Sequence, residues 1–226
     1  MPEIYHVLNR GVDKRKIFMD DKDHHRFIHD LFEFNDQQRV RDSGYHFNIR
    51  AVGVREYLVK NKEPRKLLVK IHAFCLMPNH YHLLLSPMIK NGVALFMQKL
   101  NGGYVQYFNQ RHERTGTLFE RKYKSVLVDN QAHFIHLPYY IHLNPLDMVA
   151  PEWRERKINN LSKARIYLEG YKWSSHLDYL GKDNFPSVTQ RDFLLEVFGG
   201  KENYKKALND WMGGLSINKI VGLLLE

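Results

Sequence analysis

The spacing of apolar residues in the first 150 positions predicts four strands. Two of them, at 67–77 and 81–85, are continuous apolar runs of the kind found in central strands that pack on helices. Two shorter segments, at 5–8 and 123–128, have the β-prone composition or the alternation of strands. The first of these ends in a turn-prone Asn-Arg-Gly sequence.

Apolar residues at helical spacing predict three helices, at 20–34, 93–112 and 131–143. Paired glycines should weaken the second helix in its middle, and Pro138 predicts a kink or a break in the third. The order strand, helix, strand, strand, helix, strand is that of a split βαβ arrangement, followed here by one more helix. We therefore expect an α+β fold, with a ferredoxin-like antiparallel sheet and helices on one face.

The rest of the chain divides into an insertion and a C-terminal extension. The insertion, about 35–66, is charged and irregular, although 47–49 and 52–54 could form a small hairpin. Beyond residue 150 an aromatic patch precedes two short helices separated by a pair of glycines. We therefore predict a main domain over 1–150, which includes the insertion, and a small helical appendage over 151–226.

The composition adds a candidate partner and a compartment. The net charge is +9, which suits a polyanion such as nucleic acid, although a merely basic soluble protein would have the same charge. The single cysteine, Cys75, excludes an internal disulfide and lies in an apolar run, as a buried thiol would. The sequence lacks a signal peptide and a stretch of ~20 apolar residues, so we expect a cytoplasmic protein with no membrane partner.

A His-x-His sequence in a predicted strand is the first candidate for chemistry. Residues two apart on a strand project from the same face, so the imidazoles of His80 and His82 can both reach one metal ion. Two ligands do not fix an ion, however, and a pair of surface or hydrogen-bonded strand histidines would give the same sequence.

A tyrosine and an asparagine one helical turn apart are the second candidate. Tyr140 and Asn144 share a helix face, so a phenol and an amide oxygen ligand could point to the same place. Tyr139 lies about 100° around the helix and is out of this register. A structural role also fits, because tyrosines in apolar helices usually pack in the core and Asn-Pro usually ends a helix.

A basic segment with interleaved aromatic rings, at 111–124, is the third candidate. Cations that hold phosphates beside rings that stack bases are typical of single-strand binding, whereas a solvated charged loop has the same composition. The DNA contacts that we predict from this segment and its surroundings are Arg10, Arg111, Arg114, Arg121, Lys122, Lys124, Tyr104 and Tyr107.

Together these segments resemble the single-tyrosine HUH transposases, in which a hydrophobic residue separates two histidines, and among them the REP-associated tyrosine transposases. The resemblance covers roughly two-thirds of the chain, and its order and spacing are more specific than any one motif. It implies that His80 and His82 are metal ligands, that Tyr140 is the nucleophile and that Asn144 is the remaining protein ligand. Tyr81 between the histidines and Pro138 before the tyrosines depart from the family pattern.

The resemblance implies a DNA transposase that cleaves and rejoins single-stranded DNA at hairpin-forming repeats. It would form a 5′-phosphotyrosine intermediate, use a divalent metal ion (Mg²⁺ or Mn²⁺), bind single-stranded or hairpin DNA, and act as a monomer or a homodimer. Two alternatives remain from the residues themselves. One is a nucleic-acid-binding protein on the same fold without catalysis, and the other is a metal-dependent phosphodiesterase that uses water.

Overall fold

In the computed structural model the residues described are 3–38 and 65–214, so the predicted hairpin and most of the insertion lie outside them. Four strands form one antiparallel sheet in the order β2-β3-β1-β4. Their bounds are β1 (Tyr5–Arg10), β2 (Val69–Met77), β3 (His80–Pro87) and β4 (Lys124–Leu127). This order, with helices between β1 and β2 and between β3 and β4, is ferredoxin-like, and the predicted α+β class is confirmed.

The helices α1 (Asp21–Glu33) and α2 (Gly92–Arg111) pack together on one face of the sheet. The side chain of Asp20 caps α1 by accepting hydrogen bonds from the backbone amides of Lys22 and Asp23. α2 runs unbroken through its glycine pair. A Cβ on Gly103 would stand 2.4 Å from the ring of Phe34, so the missing side chain permits this close approach.

The opposite face is covered by α3 (Gln131–Leu143) and by the C-terminal segment. That segment contains two 3-10 helices (Asn144–Met148 and Pro151–Glu155), α4 (Leu161–Gly170), α5 (His176–Tyr179), α6 (Asp192–Phe198) and α7 (Lys201–Met212). Ala73, Cys75 and Leu84 of the sheet share one hydrophobic core with these helices. This corrects the prediction of helices on one face, because β2 and β3 bury apolar side chains on both of their faces.

The C-terminal segment also covers the edge of the sheet at β2. The backbone amide of Leu76 donates to the carbonyl oxygen of Trp173 at 2.9 Å, and that of Ser175 donates to Phe74 at 3.0 Å. α3 continues through Pro138, so the predicted break does not occur. The domain boundary at 150 stays a prediction. No helix within 3–38 and 65–214 combines the length and the hydrophobicity of a membrane span.

Buried histidines connect the two sides of this second core. The Nδ1 atoms of His142 and His176 lie 2.8 and 2.9 Å from the hydroxyl oxygen of Tyr204, which can donate to one ring and accept from the other. The Nε2 atom of His142 lies 2.7 Å from Oγ of Ser175. Burial lowers the pKa of His176 and of His72 to about 4, and the pKa of His142 well below its usual range.

The free energy of unfolding should therefore fall as the pH drops from ~6.5 towards 4. An unfolded histidine has a pKa near ~6.5, so in this window the unfolded chain binds more protons than the folded one. Between about pH 6.5 and 5, each buried histidine should lower the free energy of unfolding by on the order of 1–2 kcal/mol. Urea unfolding in EDTA at about pH 7.5 and about pH 5 measures the loss. Equal midpoints would show that these rings do not stay neutral in the folded protein.

Candidate active site

Three histidines lie side by side on the sheet face that α3 covers. Arg10 pairs with His80 and Leu8 with His82 across β1 and β3. The rings of His80 and His82 have their centroids 5.0 Å apart, on one face of β3 as the His-x-His spacing predicts. His6 of β1 stacks on His82 with centroids 5.1 Å apart and an interplanar angle of 18°.

The hydrogen bonds of these histidines use Nδ1 of His80 and of His82 and leave the Nε2 atom of each ring unused. Nδ1 of His82 lies 2.9 Å from Nε2 of His6, and Nδ1 of His80 lies 2.7 Å from Oδ1 of Asn79. The Asn79 amide nitrogen donates to the carbonyl of Lys14, so its oxygen faces His80 and accepts the Nδ1 proton. Nε2 of His80 and of His82 makes no hydrogen bond to another residue in the described ranges.

The electrostatics of the cluster favour neutral rings. Burial lowers the pKa of His6 and of His80 to about 4, and the pKa of His82 well below its usual range. A neutral imidazole keeps the lone pair that metal coordination needs, so the two Nε2 atoms fit a divalent cation. Within the described ranges no three His, Cys, Asp or Glu side chains are grouped so that they could hold a metal ion by themselves.

Tyr140 projects from α3 towards these histidines. Its ring centroid lies 5.8 Å from that of His82 and 6.4 Å from that of His6, edge-on to both rings. Tyr139 points away and is buried, with its ring 5.1 Å from Phe198 and 5.4 Å from Tyr204. Of the two adjacent tyrosines, Tyr140 is therefore the one beside the histidines, as the helical phase indicates.

Asn144 follows α3 directly and is buried. Its amide nitrogen donates to the carbonyl oxygen of Tyr140 at 2.7 Å, one turn back along the chain. Its Oδ1 accepts a hydrogen bond from Nη2 of Arg154 at 3.3 Å. An amide oxygen has two lone pairs, so this bond leaves one for a cation. The ligand role of Asn144 stays a prediction.

Arg154 and His6 are site residues that sequence reasoning missed. Nη1 of Arg154 donates to the hydroxyl oxygen of Tyr140 at 3.1 Å, and its guanidinium pairs with Asp147 at 2.6 Å. Its sequence surroundings single out no arginine, because the contact depends on how a short 3-10 helix packs on α3. The alternation of β1 could have placed His6 on the same face as the later histidines, but only once the strand pairing was known.

The predicted DNA contacts on α2 are used by the fold. Tyr104 is fully buried and its hydroxyl donates to the carbonyl of Ile17, so its ring cannot stack on a base and this prediction is wrong. Tyr107 donates to the buried carboxylate of Asp23, which also pairs with Arg111. α2 lies on the face opposite to the histidines, so these side chains stabilise the fold on the far side of the sheet.

The other predicted DNA contacts lie nearer the histidines. Arg10, Arg121, Lys122 and Lys124 are exposed, whereas Arg114 is half-buried over the ring of Phe108. The pairing of Arg10 with His80 and of Lys124 with Leu8 places both cations on the histidine face of the sheet. Their contact with DNA stays a prediction.

Comparison with known proteins finds a family model that matches part of the chain. Residues 53–144 match the family model described as "Transposase IS200 like". This segment contains His80, His82 and Tyr140, and its last residue is Asn144. A solved structure of a REP-associated tyrosine transposase bound to a REP hairpin has a TM-score of 0.46 to this chain at 10% identity, covering 84% of this chain and 86% of that one. None of the curated proteins matches the chain. Over residues 53–144, the chain is therefore similar to the IS200-like transposases.

Proposed function

We propose that this protein is a transposase that cleaves and rejoins single-stranded DNA, with Tyr140 as the nucleophile and a 5′-phosphotyrosine intermediate. One observation carries the proposal: the Tyr140 ring lies 5.8 Å from that of His82, on the face where two neutral imidazoles leave their Nε2 atoms unused. A positioned phenol beside a site for a divalent cation is the equipment that phosphoryl transfer to a side chain requires.

The reaction exchanges one phosphodiester for another. The phenolic oxygen of Tyr140 attacks the scissile phosphorus and gives its proton to solvent. The bond from phosphorus to the 3′ oxygen breaks, and this oxygen leaves with the electron pair and takes a proton from water. Because the tyrosine ester retains the energy of the broken bond, the 3′ hydroxyl of another strand can reverse the step without a nucleotide cofactor.

His80 and His82 would hold the cation, Mg²⁺ or Mn²⁺, through Nε2, and Asn144 would add its amide oxygen. When bound, the cation supplies Lewis-acid polarisation of a non-bridging phosphate oxygen and stabilises charge on the leaving oxygen. The protein's own part is to keep both rings neutral and oriented. Asn79 orients His80 and His6 orients His82, each through a bond to Nδ1.

The substrate would be a single strand with a neighbouring hairpin, as the resemblance to REP-associated tyrosine transposases suggests. The exposed cations Arg10 and Lys124 flank the histidine face and would hold its phosphates. A monomer and a homodimer both fit this arrangement, since the chain brings its own tyrosine to its own histidines.

A covalent adduct between protein and DNA tests this function. The purified protein is incubated with Mn²⁺ or Mg²⁺ and a pool of hairpin-forming oligonucleotides with randomised flanks. The label belongs at the 3′ end, because a 5′-phosphotyrosine link retains the downstream fragment. We expect labelled protein on a denaturing gel. Cleaved DNA without the adduct would mean a phosphodiesterase that uses water, and binding without cleavage would mean a binding protein; either result overturns the proposal.

A further inference from the structure

The guanidinium of Arg154 donates a hydrogen bond to the hydroxyl of Tyr140. Arg154 lies outside residues 53–144, the segment that matches the family model. We propose that Arg154 is a further catalytic residue of the strand-transfer reaction, oriented by Asp147 as a positioning residue. Its guanidinium would hold the Tyr140 hydroxyl for attack and neutralise charge on the scissile phosphate. This inference rests on the proposed function and adds a residue to it.

The guanidinium of Arg154 is fixed in orientation by a two-point contact. Nε donates to Oδ1 of Asp147 at 2.9 Å, and Nη2 donates to Oδ2 at 2.6 Å. Oδ1 also accepts the indole N–H of Trp153 at 2.6 Å, and Trp153 is buried against Trp211. A guanidinium held side-on by a carboxylate has its remaining donors fixed in one plane. The buried Trp153 therefore holds Asp147 in place, and Asp147 in turn holds the guanidinium of Arg154.

The remaining donors point at the reacting groups. Nη1 contacts the phenolic oxygen of Tyr140 at 3.1 Å, and Nη2 contacts Oδ1 of Asn144 at 3.3 Å. The guanidinium carbon lies 5.4 Å from the centroid of the Tyr140 ring. An arginine that served only to pair with Asp147 would need neither contact. This one lies between the proposed nucleophile and a proposed metal ligand.

The position also suits a phosphate. The side chain of Arg154 is 42% exposed, so DNA can approach it from solvent. Once phosphorus is bonded to the phenolic oxygen, its non-bridging oxygens lie one bond angle away from that atom and within reach of Nη1. Charge builds on these oxygens during phosphoryl transfer, and a preorganised guanidinium stabilises it. Arg154 stays protonated throughout and exchanges no proton, so the atom balance of the reaction is unchanged.

Three variants separate catalysis from structure: Arg154→Ala, Arg154→Lys and the control Arg165→Ala. Arg165 is an exposed arginine on α4, so its replacement removes the same charge and side chain away from Tyr140. We expect both Arg154 variants to form the adduct ~10²–10³-fold more slowly, because lysine keeps the charge but loses the fork. Oligonucleotide affinity, measured by anisotropy without metal, should be alike in Arg154→Ala and Arg165→Ala.

Chemical rescue distinguishes a catalytic arginine from a structural one, because added guanidinium would not restore the rate if Arg154 only stabilised the fold. Guanidinium at non-denaturing concentration should speed Arg154→Ala by ~10-fold or more while leaving wild type and Arg165→Ala unchanged. A wild-type rate in Arg154→Ala overturns the inference. So does a slow rate with equally weakened binding and no rescue.

A failure of this inference differs from a failure of the proposed function. If wild type forms no adduct, both are overturned. If wild type forms it and Arg154→Ala matches that rate, the proposed function stands and the arginine is a packing residue. Should Arg154→Ala not fold, Arg154→Lys and Asp147→Asn decide, because both keep most of the packing volume. Wild-type rates in these two folded variants would overturn the role of the arginine.

Discussion

Replacing Tyr140 by phenylalanine should abolish the covalent protein–DNA adduct and leave oligonucleotide binding intact. The change removes one oxygen, the atom that would become bonded to phosphorus, and keeps the ring beside His82. Loss of the attacking atom itself should lower the adduct rate by on the order of 10⁴-fold or more. The measurement is the time course of labelled protein on a denaturing gel, with affinity measured separately by anisotropy.

Tyr139→Phe is the matched control, because it removes the same atom from the next residue. The ring of Tyr139 packs against Phe198 and Tyr204, and its hydroxyl makes no hydrogen bond to the described residues. We expect a wild-type adduct rate and a change in stability below ~1 kcal/mol. The reverse pattern, an adduct in Tyr140→Phe but none in Tyr139→Phe, would show that the nucleophile is misassigned.

Replacing His82 by alanine should abolish divalent metal binding and, with it, adduct formation. The change leaves one imidazole and one amide oxygen, which do not fix an ion. Mn²⁺ affinity should fall by at least ~10²-fold, measured by calorimetry or electron paramagnetic resonance without DNA, so that the result does not depend on activity. His25→Ala is the control, since His25 is half-buried on α1, across the sheet from the candidate site.

His6→Ala should give a graded version of the same loss. His6 would not touch the ion, but its Nε2 lies 2.9 Å from Nδ1 of His82 and so holds the tautomer that leaves Nε2 of His82 for metal. Removing such a partner should weaken Mn²⁺ binding by ~10–100-fold. Wild-type affinity in His82→Ala would mean that the cation binds elsewhere. Wild-type affinity in His6→Ala would mean that the stacked ring only packs.

The features predicted well from the sequence are local ones. The bounds of α3 coincide with the predicted 131–143, because apolar spacing and helix limits are set by nearby residues. Likewise, His80 and His82 share a face because their separation is two, whatever the rest of the fold does. The burial of Cys75 also follows from its place in a continuous apolar run. The order of strands and helices along the chain, which these local patterns predict, is also the order from which the ferredoxin-like sheet was expected.

The features missed depend on contacts between distant segments. A continuous apolar strand does not state whether one or two helical layers cover it, so the second layer over Ala73 and Leu84 was not foreseen. Tyr104 failed for a related reason. The helical spacing that predicts α2 also buries its rings, and composition cannot separate a ring that stacks on bases from one that fills a core.

The helix that bears Tyr140 is enclosed on both sides. Sheet residues pack against one side of α3, and on its other side Phe198 and Tyr204 pack against the ring of the neighbouring Tyr139. The phenol of Tyr140 therefore projects from a helix that is packed on both sides and has little freedom to move. For a reaction that first opens a strand and then seals it, this implies that the DNA ends trade places around a stationary side chain.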